Sequence, residues 1–138
     1  MLEGLFQGPE FLNSALDGLT ARNDAIAENL ANVDTPNYKA KRVDFESRLQ
    51  KLLQRSESGG SLDLVVDQPR QFTLGPSSVG DLKPVEWTAG GTSMRNDGNN
   101  VDIDYEMTLL AQTEISYNAV ADLEKRDFTR MKSAINGT

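Results

Sequence analysis

The sequence predicts a mainly α-helical protein, with long N- and C-terminal helices forming a coiled-coil-like pair and a small irregular or β-containing middle segment. Three observations predict this. Apolar or small residues recur at alternating spacings of four and three from Leu12 to Val33. The same spacing returns from Ile103 to Ile135, where no Gly or Pro interrupts the stretch after Asp104. Between the two, residues 56–100 are rich in Ser and Gly and hold only short apolar runs. The chain thus divides into 1–55 (N-terminal helix, turn and short second helix), 56–100 (irregular or short-strand insertion) and 101–138 (long C-terminal helix).

Composition narrows the function classes. With 138 residues, 38% hydrophobic and 7% aromatic, the chain is lean for a compact core, so an elongated or assembly-dependent structure is expected. A net charge of −7 argues against nucleic acid as a partner, because a phosphate backbone demands a basic surface. The chain has no cysteine and no histidine, which removes thiol nucleophiles, imidazole bases, disulfides and nearly all transition-metal ligand sets. No cofactor is expected. No apolar run approaches the ~18 residues of a membrane span, and the first residues lack the basic and apolar regions of a secretory signal. Export, if it occurs, is expected to proceed without a cleaved signal peptide.

The first helix is read from Leu12, with a seam of Leu12, Leu16, Leu19, Ile26, Leu30 and Val33. Asn23 fills the remaining seam position as a polar interruption of the kind that fixes register. Gly18 weakens the helix by about 1 kcal/mol relative to alanine. Leu5-Phe6-Gln7-Gly8-Pro9 has the pattern of a viral protease cleavage site, so nothing functional is read from residues 1–11. Pro36 lacks an amide hydrogen and biases Thr35 away from the helical region, so the helix should end by Asp34. Asn37 then suits a left-handed turn position.

After the turn, Tyr38 to Phe45 alternates loosely with charged residues, and Phe45, Leu49, Leu52 and Leu53 fit a short helix ending near Arg55. Brief strands are expected at Leu62–Val66, Phe72–Leu74 and Val85–Trp87. Gly75 and Gly80 have the spacing of a phosphate-binding loop, but Asp81 and Leu82 stand where Lys and Ser/Thr are needed. An EF-hand beginning at Asp97 fails at Val101 and Asp102, and one beginning at Asp102 fails at Met107. The acidic stretch instead reads as an Asp-Gly turn followed by Asp102 or Asp104 as N-cap.

The last helix should be about 45 Å long at ~1.5 Å per residue. Its expected seam is Ile103, Met107, Leu110, Glu114, Tyr117, Ala121, Glu124, Phe128, Met131 and Ile135, with Asn136-Gly137 as C-cap. So long a helix cannot bury its apolar side in the remainder of this small chain. It must pair with the first helix or with neighbouring copies.

Two motifs carry a resemblance. Asn29-Leu30-Ala31-Asn32-Val33-Asp34-Thr35-Pro36-Asn37-Tyr38-Lys39 resembles the N-terminal signature of bacterial flagellar rod, hook and related axial proteins, many of which carry Gly at the Asn37 position. Asp97 to Met107 resembles the C-terminal motif of the FlgB family of proximal rod proteins. The resemblance implies a non-enzymatic building block of the basal-body rod, the axial drive shaft, exported through the flagellar type III apparatus. Its partners would be copies of itself, other rod proteins and components of the basal-body base. It also implies that Asn29, Ala31, Asn32, Asp34, Thr35, Pro36, Asn37, Tyr38 and Lys39 shape the turn and its subunit contacts. Asn99, Asn100, Val101, Asp102 and Glu106 would shape the start of the last helix.

Two other readings share some of these features. A sibling rod subunit of the FlgC type has a similar size. A rod-associated peptidoglycan-cleaving enzyme would need an acid and a second carboxylate or a water-activating group in one cleft, and acidic residues are available for it, for instance Glu86 beside Trp87, although an isolated Glu-Trp pair is a weak signal.

Overall fold

The structure, a computed structural model, describes residues 3–57, 82–90 and 95–137. Helix α1 spans Glu3–Ala31, strand β1 Lys41–Asp44, helix α2 Glu46–Glu57, strand β2 Val85–Thr88 and helix α3 Ile103–Asn136. The expected strands at 62–66 and 72–74, and the glycine pair at 75 and 80, lie outside the described residues. Among the described residues no helix is long and apolar enough to cross a membrane.

α1 begins well before Leu12 and runs through Pro9. Having no N–H, Pro9 leaves the carbonyl one turn earlier without its helical partner, and the helix continues past it. α1 stops at Ala31, and the chain turns over residues 32–37 with Asn37 at φ 60°. An Asn accepts this left-handed position at little cost because its short side chain is easily accommodated there. α3 is capped as the sequence suggests. The Asp102 carboxylate accepts from the Asp104 and Tyr105 amides, and Gly137, at φ 70°, donates to the Ser133 carbonyl.

α1 and α3 lie antiparallel. Asn29, near the end of α1, reaches Glu106 in the first turn of α3. At the other end, Phe11 and Leu12 share a groove with Leu123, Arg126 and Asp127. Leu12, Leu19 and Ile26 of the expected α1 seam are buried, while Leu16 and Leu30 are half-buried.

The inward face of α3 differs from the apolar seam expected of it. The buried residues of α3 are Glu106 and Thr113, and Val120 and Asp127 continue that heptad half-covered. Leu110 and Met131 are half-buried, but Ile103, Met107, Tyr117, Phe128 and Ile135 are exposed. The face turned towards α1 is therefore rotated by about one residue, or 100°, from the apolar row. The polar groups on this face find partners within the chain: Thr113 donates to the Leu109 carbonyl, and Glu106 meets Arg42.

β1 and β2 pair antiparallel, with Val43 opposite Glu86 and Arg42 opposite Trp87. Beneath them Ala25, Val43, Phe45, Leu49 and Leu82 form the core, flanked by Phe11, Ala15 and Ala21. Gly18 has a packing role here, because a Cβ on it would overlap the ring of Phe45. Gly18→Ala should therefore destabilise the chain by about 2 kcal/mol, overpacking outweighing the ~1 kcal/mol of helix propensity gained. Urea unfolding would register this as a lower midpoint. A midpoint at or above that of the unaltered chain would show that the ring does not seat on Gly18.

Candidate functional site

The two motifs close on each other where α1 ends and α3 begins. Asn99 is fully buried at the centre. Its side-chain amide donates to the carbonyls of Asn32, Val33 and Thr35, each at 2.9 Å. These are carbonyls that the end of α1 and the turn after it leave without a helical partner. The amide has two hydrogens for three acceptors, so at least one hydrogen is shared. Its carbonyl oxygen accepts from the Val101 amide at 2.7 Å, and its own backbone N–H donates to Asp97 Oδ1 at 3.0 Å. One asparagine thus caps the first helix and shapes the lead-in to the last.

Around it the two turns are stitched together. The Asn37 amide donates to the Asp97 carbonyl at 2.9 Å, and Lys39 Nζ to the Gly98 carbonyl at 2.6 Å. Gly98 sits at φ +79°, and a Cβ there would lie 2.5 Å from Asn37 Oδ1, so glycine is needed for both conformation and room. Asn100 accepts from the Ala40 amide at 2.7 Å and donates to the Ala89 carbonyl at 2.9 Å, tying β2 to the same junction. Arg95 reaches the Val33 carbonyl at 3.0 Å and lies 3.5 Å from Asp34 and 3.3 Å from Asp97.

A second layer sits one turn back on α1. Asn29, fully buried, donates to the Lys41 carbonyl at 2.9 Å and accepts from the Lys41 amide at 2.8 Å. It also accepts from the Tyr38 hydroxyl at 3.2 Å and donates to Glu106 Oε2 at 3.3 Å. Glu106 is fully buried, and its other oxygen takes a 2.6 Å ion pair from Arg42, whose guanidinium lies 5.1 Å over the Tyr105 ring. Burial, with the Glu28 carboxylate behind it, pushes the Tyr38 hydroxyl above its usual range, so it remains a donor. Lys41 is held above its usual range chiefly by its hydrogen bond to Glu28, 2.7 Å away.

The motif residues divide by direction. Asn29, Tyr38 and Lys39 turn inward and bond across the junction, as do Asn99, Asn100 and Glu106, whereas the Asn32 side chain bonds locally, donating to the Glu28 carbonyl and accepting from the Thr35 hydroxyl. Ala31, Asp34, Thr35, Pro36 and Asn37 are exposed on the rim, where subunit contacts can reach them. Arg42, Arg95, Gly98 and Tyr105 escaped the sequence reading as partners. A buried Glu106 demands a cation, and Arg42 on an adjacent strand supplies it; Arg95 and Tyr105 carry no such signal.

The site has no evident chemistry of its own. Beside it lies an open groove of about 520 Å³ lined by Arg22, Ile26, Lys41, Arg42, Trp87 and Tyr105. Its cations are already committed, Arg22 to Glu46, Lys41 to Glu28 and Arg42 to Glu106. Among the described residues no cluster of His, Cys, Asp and Glu is placed to hold a metal ion. Glu86 sits exposed on β2.

A helix pair clasped at one end by a polar junction, with apolar side chains of α3 left uncovered, has the arrangement of a structural subunit. Residues 10–39 match the family model described as flagella basal body rod protein. The chain is 36% identical to flagellar basal body rod protein FlgB of Bacillus subtilis (strain 168) over 134 residues, covering 96% of this chain and 97% of that protein. It is 35% identical to FlgB of Borrelia hermsii over 122 residues (87% and 89%) and 30% identical to FlgB of Escherichia coli (strain K12) over 117 (85% and 84%). The chain belongs to the FlgB family of flagellar basal body rod proteins. Its relatives are named as rod proteins and not as enzymes, and it is a structural subunit.

Proposed function

We propose that this chain is a proximal rod subunit that polymerises through its terminal helices, the interlocked motifs fixing the angle at which the helices meet. The observation that carries this is the outer face of α3. Met107, Phe128 and Ile135 stand at multiples of seven residues along it, and Ile115 projects farther round the helix, all with half or more of their surface exposed. A row of apolar side chains running the length of a helix marks an interaction surface. Neighbouring rod subunits, both copies of this chain and other axial proteins, are the partners that would cover it. The FlgB family supports delivery through the flagellar type III apparatus without a cleaved signal peptide and contact with components of the basal-body base. The exposed rim of Ala31, Asp34, Thr35 and Pro36 would meet those neighbours, while Asn29, Asn99 and Glu106 hold the rim in place. The helical ends, 1–55 and 101–138, form the assembling part, while Leu82, β2 and Asp97 to Asn100 of the segment between them hold the two ends together.

Ile115 is 71% exposed, so Ile115→Asp should leave the thermal stability of the isolated chain within about 0.5 kcal/mol of its original value. Placed in an interface, the same carboxylate is buried without a partner, and incorporation should be lost. Basal bodies isolated from a FlgB-deficient strain expressing each form would decide this. Normal amounts of Ile115→Asp in the rods would mean that the Ile115 side of α3 stays open to water.

A further inference from the structure

We infer that the C-terminal half of α3 docks on the outward face of α1 of a second copy, in a register set by charges repeating every seven residues. The inference rests on the rod reading above and names the partner face. After residue 100, every basic residue of the chain falls within 125–132, namely Lys125, Arg126, Arg130 and Lys132. Lys125 and Lys132 lie seven positions apart, with Phe128 between them and Ile135 beyond. These side chains form one row along α3, and all are exposed, Phe128 by 69% and Ile135 by 84%.

α1 carries the counterpart. Glu10, Asp17 and Asp24 also recur every seven residues, with Asn13 and Thr20 between them and Ala27 beyond. All of these are exposed. Each acid stands two residues before Leu12, Leu19 or Ile26, which places it about 200° around the helix from the side packed on α3. The row therefore cannot be met by α3 of its own chain. Among the described residues, none of Glu10, Asp17, Asp24, Lys125 and Lys132 forms an ion pair.

Both rows repeat at about 10.5 Å, so aligning one charge pair aligns the next. Phe128 then sits against the smaller Asn13 or Thr20, a large side chain entering the gap between two acids. Because the two faces differ, each copy offers a donor face and an acceptor face. The contact is heterologous and propagates along a filament instead of closing into a dimer. Complementary charge supplies register here, and the apolar side chains between the charges supply contact area.

The test is charge reversal in a FlgB-deficient flagellated strain, scored by the amount of the chain in isolated basal bodies. Lys125→Glu/Lys132→Glu should lower incorporation by at least about tenfold, since opposed like charges cost more than an exposed pair gains. Adding Glu10→Lys/Asp17→Lys/Asp24→Lys to the same chain should restore it to within about twofold. The purified variants should keep the helical signal of the unaltered chain. Because the chain has no cysteine, Asp17→Cys with Lys125→Cys should also give oxidative crosslinks between copies in the rod. Normal incorporation of the base-reversed chain, failure of the acid reversal to rescue it, or crosslinks to a different axial protein would overturn the register. Absence of the unaltered chain from basal bodies would overturn the rod reading itself.

Discussion

Asn99→Asp should unfold the junction, lowering stability by about 3 kcal/mol and the melting temperature of the isolated chain by about 10 °C. The substitution keeps the shape of the side chain and exchanges its donor for an acceptor. Three carbonyls, those of Asn32, Val33 and Thr35, would then face a carboxylate oxygen at the distance where they now receive hydrogen bonds. The site is fully buried, so water cannot relieve the conflict without opening the turn. Asn99→Ala should cost somewhat less, because it removes the donor without adding a charge. Thermal unfolding followed by helical signal would rank the variants. Equal stability of Asn99→Asp and the unaltered chain would mean that Asn99 is not the cap of α1.

Glu106→Ala should be the other large loss, about 2–3 kcal/mol, because it leaves the Arg42 guanidinium and the Asn29 amide without their shared acceptor. The Arg42 side chain is 21% exposed, so water compensates part of the charge, and the estimate lies at the low end for a broken buried pair. Glu106→Gln retains an acceptor for only one of them, since Arg42 and Asn29 bond different oxygens, and should cost about 1–2 kcal/mol. Replacing the pair together, as Arg42→Met with Glu106→Leu, should recover much of the stability, since apolar groups of similar size fill the site without stranding a charge. A double variant no more stable than Glu106→Ala would show that the ion pair itself, and not the stranded arginine, decides the energetics.

What could be read from the sequence was local. Pro36 ends α1, Asn37 takes the left-handed position, Asp102 and Gly137 cap α3, and Val85 to Trp87 forms a strand, each for a reason confined to a few neighbouring residues. The interior was harder to read because it is partly polar. Asn29, Asn99, Glu106 and Thr113 are buried, and hydropathy periodicity assigns such residues to the surface. The apolar row of α3 therefore drew the expected seam towards Met107, Phe128 and Ile135, which lie outside the single chain. Gly18 was read through helix propensity alone, because no local pattern reveals that Phe45 seats on it. The motif residues were identified by resemblance, but their division into an inward clasp and an outward rim needed the distances.

Native-state hydrogen exchange on the isolated chain tests most directly whether the two motifs form one unit. The amides of Asn37, Ala40, Lys41, Asn99 and Val101 all donate within the junction, to acceptors drawn from both ends of the sequence. A single cooperative clasp predicts that they open together, with opening free energies agreeing within about 0.5 kcal/mol and exceeding those in the last turns of α3. Amides of residues 37–41 and 99–101 that open at clearly different free energies would contradict it, because each motif would then be folding on its own helix.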